Sequence, residues 1–171
     1  MEKTLIILKP DAVQRQITGE IITRFEKAGL KIIGVKMIAP NREQFHHHYE
    51  EISKMISRRG EAAFESTLKA MQEGPVIAMV LEGIEAVSLV RKLVGTTEPK
   101  AAAPGTIRGD YSHISFDYSK KVNSGIPNLV HASGDPSEAK LEIEHWFNKD
   151  ELFDYPTAHE HFTHVKEKPT K

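Results

Sequence analysis

The side chains that could do chemistry in this chain are histidines, lysines, arginines and carboxylates. It has no cysteine, which removes a disulfide framework, a thiolate metal site and a cysteine nucleophile together. Among nine histidines, His131 stands in Asn128-Leu129-Val130-His131-Ala132-Ser133, between an irregular stretch and a well-signalled helix. An unperturbed imidazole is largely neutral near pH 7 and can attack as a nucleophile. Taken alone, His131 reads at least as well as a structural histidine. His46-His47-His48 and the tail residues His159, His161 and His164 invite a metal reading. Consecutive helical residues point about a hundred degrees apart, so three in a row cannot all face one ion. A solvated helix face is expected for the triplet and a surface position for the tail cluster. The chain has no Gly-x-x-x-x-Gly-Lys-[Ser/Thr] phosphate loop, and Gly105-Thr106-Ile107-Arg108-Gly109 has the wrong spacing and no lysine. Gly-x-Gly-x-x-Gly after a strand and Gly-x-Ser-x-Gly are absent too.

The run Asn-x-x-His-[Gly/Ala]-Ser, continued through Glu142 to Trp146-Phe147, resembles the active-site signature of nucleoside diphosphate kinases. Thr4-Leu5-Ile6-Ile7-Leu8-Lys9-Pro10-Asp11-Ala12-Val13-Gln14-Arg15 looks like that family's opening strand and its lysine. Gly74-Pro75-Val76 and Glu82-Gly83 resemble its central strand. Pro104-Gly105-Thr106-Ile107-Arg108-Gly109-Asp110 resembles its phosphate-loop motif, and Glu151-Leu152-Phe153-Asp154-Tyr155 its C-terminal segment. Separated motifs in the right order are far more specific than any one of them.

By that resemblance His131 is the phosphoryl acceptor, and Lys9, Arg91, Thr97, Arg108 and Asn128 contact the nucleotide's phosphates and sugar. Tyr49 lies near the acceptor, and Glu142 holds the second ring nitrogen. The resemblance implies transfer of the terminal phosphoryl of a nucleoside triphosphate to a nucleoside diphosphate, ping-pong, through phospho-His131. It also implies Mg²⁺ carried on the nucleotide phosphates rather than in a protein metal site, and a homo-oligomer, hexamer or tetramer. The chemistry asks for these types: positioned cations answer the charge that gathers on the transferred phosphoryl. A non-catalytic nucleotide-binding module should have lost His131 or a phosphate-binding arginine. A histidine phosphocarrier for a protein partner would not require Lys9, Arg91 and Arg108 together.

Three departures from the family pattern stand out. Gly134 follows Ser133 where the family usually has Asp, with Asp135 one later. The chain is longer between Asp110 and His131, with residues 120–127 lacking a counterpart. It is longer again between Tyr49 and Gly74, where an aromatic commonly stacks on the base. Phe64 is the nearest candidate for that contact; burial of Phe64 in a helical hairpin, with Ala63 at the stacking position, is the alternative. Arg58-Arg59-Gly60 in this stretch suits a hinged lid, or else a solvated hairpin.

These residues need a scaffold, and the punctuation of the chain supplies one. Residues 4–8 read as a buried strand ended by Lys9-Pro10. Residues 19–28 read as a helix closed by Gly29, and 31–38 as a strand. Asn41 can cap a helix with Gln44 at its third position, and 42–71 reads as two or three short helices broken at Arg58-Arg59-Gly60. Residues 75–82 are the clearest strand, followed by a helix over 85–93. From 95 to 128 the chain is irregular, with a weak strand candidate at 114–116; so long a stretch is usually functional. Asp135, Pro136 and Glu138 announce a helix with Ala139, Ile143, Trp146 and Phe147 on its buried stripe. The order favours an α+β sandwich over a doubly wound parallel sheet, and the family's ferredoxin-like βαββαβ fold, with a four-stranded antiparallel sheet, decides between them.

The 171 residues fit one domain, 1–171, with the tail beyond about 155 peripheral. A net charge of −1 supplies no bulk field for polyanions, so nucleic acid is disfavoured and phosphates must meet a local cation cluster. The apolar run at 5–8 is too short for a signal peptide or membrane span, which makes a cytoplasmic protein with no membrane partner the default expectation.

Overall fold

The structure, a computed structural model, describes residues 1–163. In chain order it contains β1 (Glu2–Leu8), α1 (Pro10–Gln14), α2 (Thr18–Lys27), β2 (Lys31–Ile38), α3 (Arg42–His46), a π-helical turn (His47–Ile52), α4 (Met55–Arg59) and α5 (Glu61–Met71). Then follow β3 (Val76–Gly83), α6 (Ala86–Val94), α7 (Ile107–Tyr111), α8 (Phe116–Lys121), β4 (Val130–Ala132), α9 (Pro136–Trp146) and α10 (Glu160–Thr163). The strands form one antiparallel sheet in the order β2-β3-β1-β4, the ferredoxin-like arrangement that the sequence leads one to expect.

Leu5, Ile6, Ile7 and Leu8 are all fully buried because both faces of β1 are covered. Side chains alternate across a strand. Leu5 and Ile7 therefore pack with Phe45, Tyr49, Phe64, Leu68 and Trp146 on one side, and Ile6 and Leu8 with Ile21, Phe25, Val90 and Ile107 on the other. In the β1–β4 register Ile7 lies opposite His131, which puts the histidine on the side of α9 and the 45–71 helices.

The two cap readings hold: Asn41 Oδ1 accepts the Gln44 N–H at 2.8 Å, and Asp135 Oδ1 accepts the Glu138 N–H at 2.8 Å. The break at Gly60 also holds, with φ +85°. Residues 114–116 are not a strand. Ser115 Oγ accepts the Tyr118 N–H at 3.1 Å and starts α8 instead. The fourth strand is Val130–Ala132, the run that contains His131, held by pairing to β1. Among the described residues no helix is long and apolar enough to cross a membrane.

Candidate active site

His131 projects from β4 toward a cavity of about 760 Å³ bounded by α4, α5, α8 and the turn after β4. Its Nε2 lies 2.7 Å from Glu142 Oε1. Glu142 is fully buried on α9, and its other oxygen accepts the Ser133 hydroxyl at 2.6 Å. A carboxylate only accepts, so Nε2 must carry the ring proton and Nδ1 is left with the free lone pair. Burial raises the Glu142 pKa. Burial also pulls the His131 pKa down to about 3, helped by Lys9, Arg108 and Arg91 and opposed by Glu138. The imidazole is therefore neutral across the physiological range.

Lys9, at the end of β1, donates from Nζ to Asn128 Oδ1 at 2.7 Å, and Asn128 Nδ2 donates to the Thr97 carbonyl at 2.9 Å. Arg108 is held by three backbone carbonyls: those of Asn128 (3.1 Å), Gly95 (2.9 Å) and Val130 (2.5 Å). Burial lowers its pKa to about 10, with Arg91 and Arg59 adding to the effect, so it stays charged at neutral pH. Arg91 reaches the Ser133 carbonyl at 3.5 Å. Tyr49 meets the His131 ring edge-on at 5.9 Å between centroids. Its buried hydroxyl has no partner within the protein, and burial pushes its pKa up.

The structure thus brings Lys9, Tyr49, Arg91, Thr97, Arg108, Asn128 and His131 to one cavity wall, with Glu142 directly behind the histidine. Phe64 is the exception and a correction. It is 2% exposed and packs among Phe45, Tyr49, Leu68 and Met71. The cavity wall is formed by its neighbours Ala62, Ala63 and Ser66. One face of α5 must cover the sheet, and Phe64 lies on that face with Leu68 and Met71. Phe64 is therefore not available to stack on a base. Phe116 of α8 lines the cavity, as do Lys120, Asn123 and Gly125 of the segment without a family counterpart.

A second correction concerns His48. The triplet was expected on a solvated face, and His46 and His47 are indeed at least partly exposed. His48 is fully buried, 4.4 Å from the His131 ring between centroids. Trp146 Nε1, which can only donate, donates to His48 Nδ1 at 3.1 Å. The remaining ring proton thus lies on Nε2, which faces Glu142 Oε1 at 3.7 Å. Burial, with His131 next, holds the His48 pKa well below the usual value. Its only sequence signal was adjacency to Tyr49. Among the described residues one group could hold a metal ion, His48, His131 and Glu142; Glu142 already accepts from His131 and Ser133, while His48 Nε2 has no hydrogen-bond partner within the protein. His164 of the tail cluster lies outside the described residues.

The family model described as nucleoside diphosphate kinase matches residues 2–152. The chain is 47% identical over 161 residues to nucleoside diphosphate kinase from Pyrococcus horikoshii, covering 94% of each chain. It is 42% identical over 157 residues to that from Borreliella burgdorferi, covering 91% of this chain and 92% of that one. A solved structure of the borrelial enzyme, a transition state mimic with bound vanadate and ADP, matches with a TM-score of 0.92 at 41% identity. That match covers 95% of this chain and 96% of the other. A halophilic nucleoside diphosphate kinase from Halobacterium salinarum in complex with CDP matches with a TM-score of 0.81 at 36% identity, covering 96% and 99%. Whole-chain matches in sequence and fold, around a neutral histidine ringed by cations, have one reading: the chain belongs to the nucleoside diphosphate kinase family of phosphotransferases.

Proposed function

We propose that the chain moves the terminal phosphoryl of a nucleoside triphosphate to a nucleoside diphosphate in two half-reactions through His131. The observation that carries this reading is the neutral His131 with Nε2 tied to Glu142, which leaves Nδ1 as the attacking atom. In the first half-reaction Nδ1 forms a bond to the γ-phosphorus and the bond to the leaving diphosphate oxygen breaks. In the second, a nucleoside diphosphate oxygen attacks the phosphohistidine and Nδ1 regains its lone pair. Glu142 holds the Nε2 proton throughout and balances the positive charge on the phosphorylated ring.

Lys9, Arg91 and Arg108 are the donors to the phosphates, with Thr97 and Asn128 toward the sugar. Tyr49 offers an unpaired hydroxyl beside the acceptor. Lys9, Arg91 and Arg108 line the cavity beside His131, and Mg²⁺ keeps several waters and binds largely through substrate phosphates, which supports a Mg²⁺ ion carried on the nucleotide. Bound there, Mg²⁺ neutralises charge on the phosphates. A homo-oligomer, hexamer or tetramer, is supported by the exposed Val35 and Met37 on the edge strand β2, an edge that proteins commonly cover. Sedimentation or light scattering reads that directly.

The test is incubation with γ-labelled ATP and Mg²⁺. Label should enter the protein in an acid-labile, alkali-stable form, be discharged by any nucleoside diphosphate, and be absent from His131→Gln. Uptake of label by that variant, or a rate law requiring both nucleotides at once, overturns the mechanism.

A further inference from the structure

Gly134 leaves the strand that carries His131, and its backbone does not call for glycine. The glycines with positive φ are Gly29, Gly60, Gly95 and Gly105. Space is what calls for it: a Cβ at 134 would overlap Glu138 Oε2, because that oxygen accepts the Gly134 N–H at 2.6 Å.

Glu138 is a buried carboxylate, 8% exposed, and it lines the cavity beside His131. Its Oε1 faces Arg58 Nη1 of α4 at 3.5 Å. Burying a carboxylate costs solvation, and here it also repels an incoming polyphosphate. Such a group needs a positional reason to be there. Helix capping is not enough, because Asp135 already caps α9 through the Glu138 N–H. In an ordinary capping box the third-residue carboxylate returns to the N–H of the cap itself. Glu138 passes over Asp135 and takes the N–H of the preceding residue, in the turn out of β4.

We propose that Glu138 is a positioning residue of the phosphoryl-transfer site. Through the Gly134 N–H it holds the turn that leaves His131, and through Arg58 it ties α4 to that turn across the cavity. Gly134 is the space this carboxylate requires. The inference rests on His131 being the acceptor.

The experiment is rapid-quench measurement of His131 phosphorylation by ATP and Mg²⁺ in the full chain, with urea unfolding of each variant in parallel. Glu138→Ala is expected to slow phosphorylation by roughly ten- to a hundredfold at saturating ATP, the scale of a lost orienting partner. Gly134→Ala leaves Glu138 in the chain but denies its carboxylate its place. It is expected to come within about threefold of Glu138→Ala, and Gly134→Ala/Glu138→Ala to be no slower than Glu138→Ala, since the overlap is gone. Glu138→Gln, which keeps an acceptor for the Gly134 N–H, should recover part of the rate. Arg58→Ala should slow the step without adding to the effect of Glu138→Ala, because both remove one link.

Two results overturn the proposal. One is near-normal phosphorylation, within about threefold, in Glu138→Ala or Gly134→Ala alongside a lowered urea midpoint, which is what a helix cap alone predicts. The other is full multiplication of the Arg58→Ala and Glu138→Ala losses. Should Glu138→Ala fail to fold, Gly134→Ala and Glu138→Gln decide by the same comparison. Absence of label on His131 in the unmodified chain is a different failure, that of the acceptor reading, and it shows before any variant is made.

Discussion

His131 is neutral because it is buried beside Lys9, Arg108 and Arg91, and it is oriented by Glu142 behind it, so its reactivity should depend strongly on Glu142. Replacing Glu142 by Gln keeps the shape but removes the charge that favours a positive ring. Phosphorylation should slow by roughly ten- to a thousandfold while nucleotide binding, measured by calorimetry, stays close to normal. An unchanged rate would remove Glu142 from the site. Lys9 makes a second prediction. Burial pulls its pKa down to about 8, with Arg108 and Arg59 adding to the effect against Asp11. The ammonium is thus lost as pH rises through about 8 in the free protein, whereas bound phosphates favour the charged form. The value of kcat/KM should therefore fall above about pH 8 while kcat holds to higher pH. Lys9→Arg should lose that limb, and a flat kcat/KM to about pH 9.5 would exclude Lys9 as the titrating donor.

The segment between Tyr49 and Gly74 divides into two elements with different duties. In α5, Phe64, Leu68 and Met71 are at most 2% exposed, so that helix belongs to the core. In α4 no residue is buried. It starts from Lys54 at φ +52° and ends at Gly60 at φ +85°, and its Arg58 and Arg59 line the cavity. Few buried contacts mean low local stability, so lid motion is expected in α4, whose Met55 and Ile56 only partly pack on the core, and not in the whole hairpin. Amides of α4 should exchange quickly without ligand and slow with a nucleoside diphosphate and Mg²⁺, while those of the second half of α5 stay protected in both states. Equal protection of α4 with and without nucleotide would make it a fixed wall. Gly125 fits against α5 so closely that a Cβ would meet Ala70 Cβ and the Ser66 carbonyl at 2.7 Å. That contact seats the 112–127 segment over the cavity.

For the whole molecule, the buried pair His48 and His131 sets a limit on the acid side. Their folded-state pKa values lie below the ordinary 6.5, His131 at about 3 and His48 well below normal. Between those values the unfolded chain binds protons that the folded one refuses, so stability falls as pH drops below about 6.5. The slope expected from each is about 1.4 kcal/mol per pH unit. Urea unfolding at pH 7 and pH 5 measures it, and His131→Gln should show a shallower slope. Stability independent of pH over that interval would mean that the histidines are not held neutral.

Local chemistry alone was enough to read β1, β2, β3, α2, α6 and α9, because alternation, helical spacing and cap residues such as Asn41 and Asp135 are properties of neighbouring residues. The order of the motifs likewise brought His131, Lys9, Arg91, Arg108 and Glu142 into view before any coordinates. Long-range packing decided the rest. A strand of three residues has no period of its own, so β4 exists through its pairing with β1. Whether His48 and Phe64 face water, a ligand or the core depends on which side of the helix meets the sheet, and only the tertiary structure turned both inward. The same is true of Glu138: its sequence signature is that of a helix start, and its place beside His131 follows from where α9 docks on β1.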